Sequence, residues 1–161
     1  MPASKRLVLG LGNRLAGADG FGPAVVEELA AARDLPPEVE LVDAHADRLG
    51  SLDRFAGRDD VVLVDAVLDT NGGGVAVFDE ETFSTFETRS TGVHGLSAIM
   101  AVKLFRRLQR PGDPALPARP RITLVAHLVS EAHFLHPLDP AIVRTGAETV
   151  RAVLARLRTV S

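Results

Sequence analysis

Three polar residues, Asp19, Asp65 and His94, have the types and the spacing of a metal-binding or acid–base site. Asp19 lies between glycines in a polar loop after a short apolar run, Asp65 ends another apolar run, and His94 precedes a helical pattern. Two carboxylates and an imidazole supply the oxygen and nitrogen ligands that suit a borderline divalent metal. A carboxylate of such a set can also orient or deprotonate water.

Each of the three residues also has a purely structural explanation. Asp19 can cap the following helix and favour its positive end. Pro23 argues against this, because proline is best placed at the first helical position, which would put the cap at Gly22. Asp65 can be a buried carboxylate that caps the next loop, and His94 a helix-start residue bonded to backbone. Their convergence on one edge of a sheet would favour a functional site.

The glycine-rich first loop does not match the two common nucleotide-binding patterns. A dinucleotide-type GxGxxG would need its third glycine at Leu15, and a phosphate-binding GxxxxGK[ST] would need a lysine beside a late glycine. The sequence therefore disfavours nucleotide binding. The residues that characterise this loop are Gly10, Gly12, Asn13, Gly20 and Gly22.

Strands and helices alternate along the chain. Apolar runs predict strands at residues 6–11, 39–42, 60–67 and 121–128, and a short edge strand at 75–78. Helical spacing predicts helices from Pro23, at 46–56, at 94–108 and at 140–157, whereas 80–91 is predicted to be irregular and 111–120 a loop. This alternation predicts a mostly parallel sheet wrapped by helices.

A parallel sheet brings the carboxyl ends of its strands to one edge. If the first and third strands are neighbours, Asp19 and Asp65 face each other there across a crevice that we expect to be open to solvent. His45 and His127 occupy predicted strand-end positions at the same edge. Two further histidines, predicted to be solvated surface residues, are His133 and His136.

Composition narrows the class of protein. The 161 residues predict a single domain over 1–161, and a hydrophobic content of 46% excludes a disordered chain. The net charge of −3, without a basic run, disfavours nucleic acid as a partner. The chain has no cysteine and no GxSxG motif, which excludes a thiol nucleophile and disfavours a covalent acyl-enzyme. We find neither a signal peptide nor a membrane-length apolar run, and we expect a cytoplasmic monomer.

At its three polar motifs the sequence resembles the maturation endopeptidases of nickel–iron hydrogenases, from about Arg6 to the last helix. GLGNRLAGADGFG resembles the family's GxGNxLxxDDGxG, VLVDAV its second aspartate segment, and TGVHGLSAIMAV its histidine segment. The resemblance implies a three-layer α/β/α sandwich around a twisted five-stranded sheet. It also implies an endopeptidase that removes the C-terminal extension of the hydrogenase large subunit after nickel insertion.

The same resemblance assigns roles to residues. It implies that Asp19, Asp65 and His94 bind nickel, and the two aspartates are the predicted catalytic residues. The nickel is expected to be carried by the substrate, the precursor of the large subunit, rather than held tightly by this chain. Two positions depart from the family pattern: Ala18 stands where a first loop acid is usual, and Pro23 where an aliphatic residue is usual.

Two other functions are compatible with these residues. One is a non-catalytic nickel-checking chaperone, in which Ala18 marks a lost activity. The other is a self-sufficient metallohydrolase with its own ion, held by His45, Asp65, His94 and His127.

Overall fold

The computed structural model describes residues 5–45, 47, 50–86, 98–109 and 120–158. The strands are β1 (Arg6–Gly10), β2 (Val39–Asp43), β3 (Asp60–Leu68), β4 (Val75–Asp79) and β5 (Arg121–Val129). The helices are α1 (Phe21–Ala32), α2 (Glu80–Phe83), α3 (Ala98–Leu108) and α4 (Pro140–Arg158), with 3-10 helices at Gly17–Gly20, Gly50–Arg54 and Glu131–His133. Within these ranges no helix has the length and apolarity that a membrane crossing requires.

All five strands belong to one sheet, in the order β2-β1-β3-β5-β4. The first four strands of this order run parallel, and β4 pairs antiparallel with β5 at the edge. The predicted mostly parallel sheet and its edge strand are thereby confirmed. Because β1 lies between β2 and β3, the loops that follow these three strands meet at the same edge of the sheet.

Helices cover both faces of the sheet, which confirms the three-layer α/β/α architecture. On one face, α3 packs with Phe55 and Phe83 against apolar side chains of β1, β3 and β5. On the other face, α1 and α4 enclose Phe21. Gly146 of α4 allows the two helices to approach, since a Cβ there would lie 2.7 Å from the Phe21 ring. Burial of one such aromatic side chain contributes about 1.5–3 kcal/mol to stability.

The start of α1 differs from the prediction. The helix begins at Phe21 and its N-cap residue is Gly20, so the expectation that Pro23 is the first helical residue is wrong. Pro23 lies in the first turn, where a backbone N–H has no acceptor within the helix, and proline is therefore tolerated there.

In three other segments, the observed elements differ in part from the predicted ones or have different bounds. The segment expected to be irregular contains α2, because Asp79 Oδ1 accepts the Thr82 N–H at 2.8 Å and Phe83 is fully buried. Of the helix predicted at 46–56, the structure describes a 3-10 helix at Gly50–Arg54. The helix predicted at 94–108 is confirmed from Ala98 onward, whereas 94–97 lie outside the described residues.

Candidate functional site at the carboxyl edge of the sheet

The N-terminus of α1 lies directly on the carboxyl end of β1 and on the middle of β3 beside it. A Cβ on Gly22 would overlap the carbonyl oxygens of both Leu11 and Val64. A Cβ on Gly10 would lie 2.6 Å from the Gly22 carbonyl oxygen. A side chain at either glycine would therefore push the helix away from the sheet. This close packing folds the intervening loop over the edge of the sheet.

Asp19 lies inside that loop, in the 3-10 helix Gly17–Gly20, and only 4% of its surface is exposed. Its Oδ2 accepts the backbone N–H of Asn13 at 3.0 Å, and Asn13 Oδ1 accepts the N–H of Leu15 at 2.9 Å. The N-cap residue of α1 is Gly20, without a side-chain cap bond. Asp19 is therefore held as part of the loop and is not the N-cap of α1.

Gly12 anchors the other end of the loop. Its φ of +132° lies in a region that disfavours side chains, and a Cβ there would overlap the carbonyl oxygen of Asp19. The Gly12 N–H donates to the His45 carbonyl oxygen at 2.8 Å, and the Ala44 N–H donates to the Gly10 carbonyl oxygen at 2.9 Å. The segment after β2 is thus hydrogen-bonded to the backbone of Gly10 and Gly12, and Gly12 in turn contacts Asp19.

Arg14 ties the same loop to two further elements. Its Nε and Nη2 donate to Asp43 Oδ2 at 3.1 and 2.8 Å, and its Nη1 donates to Glu27 Oε2 at 3.0 Å. The hydrogen bonds to Asp43 raise the pKa of the Arg14 guanidinium above its usual value. Sequence reasoning missed this arrangement. The available signal was Asp43 itself, a carboxylate at the end of the second strand, as Asp65 was expected to be for the third.

Asp65 lies inside β3 and not at its end, because β3 continues to Leu68 alongside β5. Relative to β1, however, Asp65 does lie at the edge. Gly10, the last residue of β1, pairs with Val64, so Asp65 is the first residue of β3 beyond that pairing. It is 3% exposed, and its Oδ1 accepts the N–H of Ala66 at 2.9 Å.

The side chain of Asp65 points to the α3 face of the sheet. Alternation along a strand places it on the same face as Leu63 and Val67, which pack in the core that includes Ala98 of α3. His94 precedes Ala98 by four residues and lies outside the described residues.

The structure brings Asp19 and Asp65 to one edge, where β3 contacts the 3-10 helix Gly17–Gly20. Both residues are buried, so the expectation of a crevice open to solvent is wrong at these two side chains. Burial of two carboxylates is costly unless hydrogen bonds or a positive charge compensate it. The backbone N–H groups of Asn13 and Ala66 supply hydrogen bonds of this kind to Asp19 and Asp65, respectively. Within the described ranges, no group of three or more His, Cys, Asp or Glu side chains is arranged to hold an ion.

His127 lies near the end of β5, inside the strand and not in the loop after it. Its ring centroid is 5.4 Å from that of Phe21, and its Nδ1 is hydrogen-bonded to the Gly74 carbonyl oxygen at 3.0 Å. Phe21 belongs to the core on the α1 and α4 face. His127 and Asp65 thus point to opposite faces of the sheet. Although they lie on neighbouring strands, they are not placed to bind the same ion.

The other described histidines are on the surface. His45 follows β2 as predicted; its side chain is 70% exposed and its Nδ1 lies 3.5 Å from Asp43 Oδ1. His133 and His136 are exposed, as expected. The two rings are 5.0 Å apart, and His133 Nδ1 is hydrogen-bonded to Ser130 Oγ at 2.6 Å. The four-residue ion site considered from the sequence is therefore not assembled by its described members.

Solved structures of other proteins share this fold over nearly the whole length of the chain. Hydrogenase maturating endopeptidase HybD from E. coli is 25% identical, with a TM-score of 0.72 over 94% of this chain and 93% of that one. The [NiFe] hydrogenase maturation protease HybD from Thermococcus kodakarensis is 24% identical, with a TM-score of 0.65 over 95% and 98%. The maturation protease HycI from Thermococcus kodakarensis KOD1 is 19% identical, with a TM-score of 0.65 over 96% and 93%.

No protein-family model matches the sequence, and no curated protein matches it either. The similarity is therefore carried by the fold and by the motifs along it. The resemblance predicted from these motifs is confirmed by the solved structures, and the chain is a peptidase with the structure of the hydrogenase maturation endopeptidases.

Proposed function

We propose that this peptidase removes the C-terminal extension of a nickel–iron hydrogenase large subunit after nickel insertion. The observation that carries the proposal is the match to E. coli HybD over more than nine-tenths of both chains. The two buried carboxylates at the carboxyl edge of the sheet support it. The cytoplasm is the proposed location, since the substrate is a precursor that is still being assembled.

In this proposal, Asp19 and Asp65 contact the nickel that the substrate carries, together with His94. Oxygen and imidazole ligands suit this borderline ion, and three ligands without a thiolate would hold a free ion weakly. Hydrogen bonds to the Asn13 N–H and the Ala66 N–H orient the two carboxylates. The two negative charges attract a cation that the substrate brings.

The chemistry is hydrolysis of one peptide bond. The water oxygen bonds to the scissile carbonyl carbon, the C–N bond breaks, and the amine leaves with a proton. One of the two aspartates orients the water or accepts its proton. Contact with the ion places the scissile bond beside these carboxylates, which is a positioning effect.

The test is to mix metal-stripped protein with nickel-loaded and nickel-free forms of the precursor from the same organism. We expect cleavage of the nickel-loaded form alone, measured as the mass of the released extension. Equal cleavage of both forms would contradict recognition of nickel. One tightly held ion per chain after purification would instead support the self-sufficient metallohydrolase, and specific binding without cleavage would support the chaperone.

A further inference from the structure

The segment after β5 carries a run of polar side chains that the proposed function does not use. The His133 N–H donates to the Ser130 carbonyl oxygen at 3.0 Å, and the His136 N–H donates to the His133 carbonyl oxygen at 3.0 Å. Such bonds between residues three apart are those of a 3-10 helix, in which side chains three apart lie above one another. Ser130, His133 and His136 therefore project from the same side of this segment.

These three side chains also contact one another in series. His133 Nδ1 is hydrogen-bonded to Ser130 Oγ at 2.6 Å, and the ring centroids of His133 and His136 are 5.0 Å apart. Two imidazoles that bind one tetrahedral ion, at metal–nitrogen distances of about 2.0–2.1 Å, have ring centroids about 5 Å apart. The observed separation thus matches that of two imidazoles on a shared ion.

The Ser130 hydroxyl supports His133 in the way that metal-binding histidines are usually supported. A histidine that binds an ion through one ring nitrogen generally makes a hydrogen bond through the other, which fixes the tautomer and the orientation of the ring. The hydrogen bond at Nδ1 leaves Nε2 of His133 for the ion. Both histidines are exposed, so an ion and its water ligands can reach them.

The backbone between the two histidines is held by the loop that precedes α1. The Phe134 carbonyl oxygen accepts the Ala18 N–H at 2.9 Å, and a Cβ on Gly17 would lie 2.5 Å from the His136 carbonyl oxygen. Pro137 follows His136 and restricts its backbone conformation. Because these contacts fix the segment, little conformational freedom is lost when both rings bind the same ion.

We propose that His133 and His136 bind one divalent transition-metal ion, such as Zn²⁺, Ni²⁺ or Cu²⁺, with water completing its coordination. Imidazole suits these ions, whereas Mg²⁺ and Ca²⁺ prefer oxygen ligands. With only two protein ligands, the site exchanges its ion readily, unlike a closed structural site with four. The inference does not depend on the proposed peptidase function, since it concerns different residues and needs no substrate.

The test titrates the metal-stripped full-length protein with Zn²⁺ alone and follows the ring resonances of its histidines by NMR. The chain has five histidines, so single variants can assign each resonance. We expect the His133 and His136 resonances to shift together, over the same range of Zn²⁺ concentration. Mg²⁺ should shift neither, and isothermal titration calorimetry gives the affinity for Zn²⁺.

Variants test each member of the site. His133→Ala and His136→Ala should each lower the affinity of the remaining ring for Zn²⁺ at least about tenfold, since losing a ligand costs no less than losing a residue that orients one. Ser130→Ala should lower the affinity about tenfold, because it removes the hydrogen bond that orients His133. His45→Ala is the matched control: the His45 side chain is 70% exposed after β2, and its loss should leave both shifts unchanged. Circular dichroism melts establish that each variant is folded.

Three results would overturn the assignment. In the first, neither ring shifts at Zn²⁺ concentrations at which free imidazole binds the ion. In the second, the shifts are confined to histidines other than His133 and His136. In the third, one ring binds with wild-type affinity after the other is replaced, which would show that the two imidazoles bind independently. Failure to cleave a nickel-loaded precursor would contradict the proposed function and leave this inference intact.

Discussion

The carbonyl oxygen of Asp19 occupies the place that a side chain on Gly12 would take. Gly12 also has a positive φ and donates its N–H to His45 of the segment after β2. The position of the candidate catalytic carboxylate thus depends on the absence of a single methyl group from the neighbouring backbone.

Gly12→Ala should destabilise the protein and displace Asp19. The dihedral strain alone costs about 1–3 kcal/mol, and the overlap with the Asp19 backbone adds to it. The measurements are urea unfolding and the rate of precursor cleavage. Gly73→Ala is the matched control, because nothing lies within 4 Å of a Cβ there; it should stay within about 0.5 kcal/mol of wild type. Equal behaviour of the two variants would contradict the role of Gly12.

Asp65→Asn should abolish cleavage and leave the fold intact. The amide keeps an oxygen that accepts the Ala66 N–H, so the free energy of unfolding should change by less than about 1 kcal/mol. Loss of the charge should lower the cleavage rate at least about 100-fold. Asp69→Asn is the control, since Asp69 Oδ1 accepts the Asn71 N–H in the following loop. A wild-type rate for Asp65→Asn would remove Asp65 from the mechanism.

Ala18→Asp restores the acid that the family pattern usually carries, yet the structure predicts a cost. Ala18 is 4% exposed and its N–H is bonded to Phe134. A carboxylate there is buried next to that of Asp19, and we expect a loss of about 1–3 kcal/mol. Ala16→Asp, two residues earlier and less buried, is the control. Increased cleavage by a stable Ala18→Asp variant would indicate that the loop accommodates the acid.

Arg14→Ala should lower the rate of cleavage and change the free energy of unfolding only slightly. An exposed ion pair contributes little to folding, but Arg14 connects the Asp19 loop to both Asp43 and Glu27. Looser positioning of the loop should reduce the rate about tenfold. Arg14→Lys should recover the rate only in part, because lysine lacks the planar fork. Arg151→Ala, which removes the ion pair with Asp34, is the control and should leave the rate unchanged.

The cap of α2 should depend on pH. The hydrogen bond from Thr82 lowers the pKa of the Asp79 carboxyl below its usual value. A carboxyl whose pKa is lowered by folding contributes stability above its unfolded pKa, and this contribution is lost as pH falls through the folded pKa. The stability difference between wild type and Asp79→Ala should therefore shrink in acid. A difference that is constant from neutral to acidic pH would contradict this.

The alternation of apolar runs and helical spacing was sufficient to predict the layers of this fold. Runs such as Val61–Val64 are buried on both faces of a parallel sheet, and that pattern is local enough to be read from sequence. The motifs at Asp19 and Asp65 were likewise predicted from residue types and spacing. The ends of strands and helices were less predictable, because they depend on distant contacts. Leu68 extends β3 by pairing with β5, and Phe21 extends α1 by packing against α4.

Which of these side chains can act together depends on the three-dimensional packing of the chain. A strand presents alternate residues to opposite faces, so the register that pairs Ala66 with His127 separates that histidine from Asp65. The hydrogen bond between Ala18 and Phe134 joins residues more than a hundred positions apart, and no local pattern predicts such a contact. The candidate carboxylates and the sheet edge that holds them were predictable from residue types and spacing alone. The packing of loops on that edge determined their burial, their hydrogen-bond partners and the surface beside them.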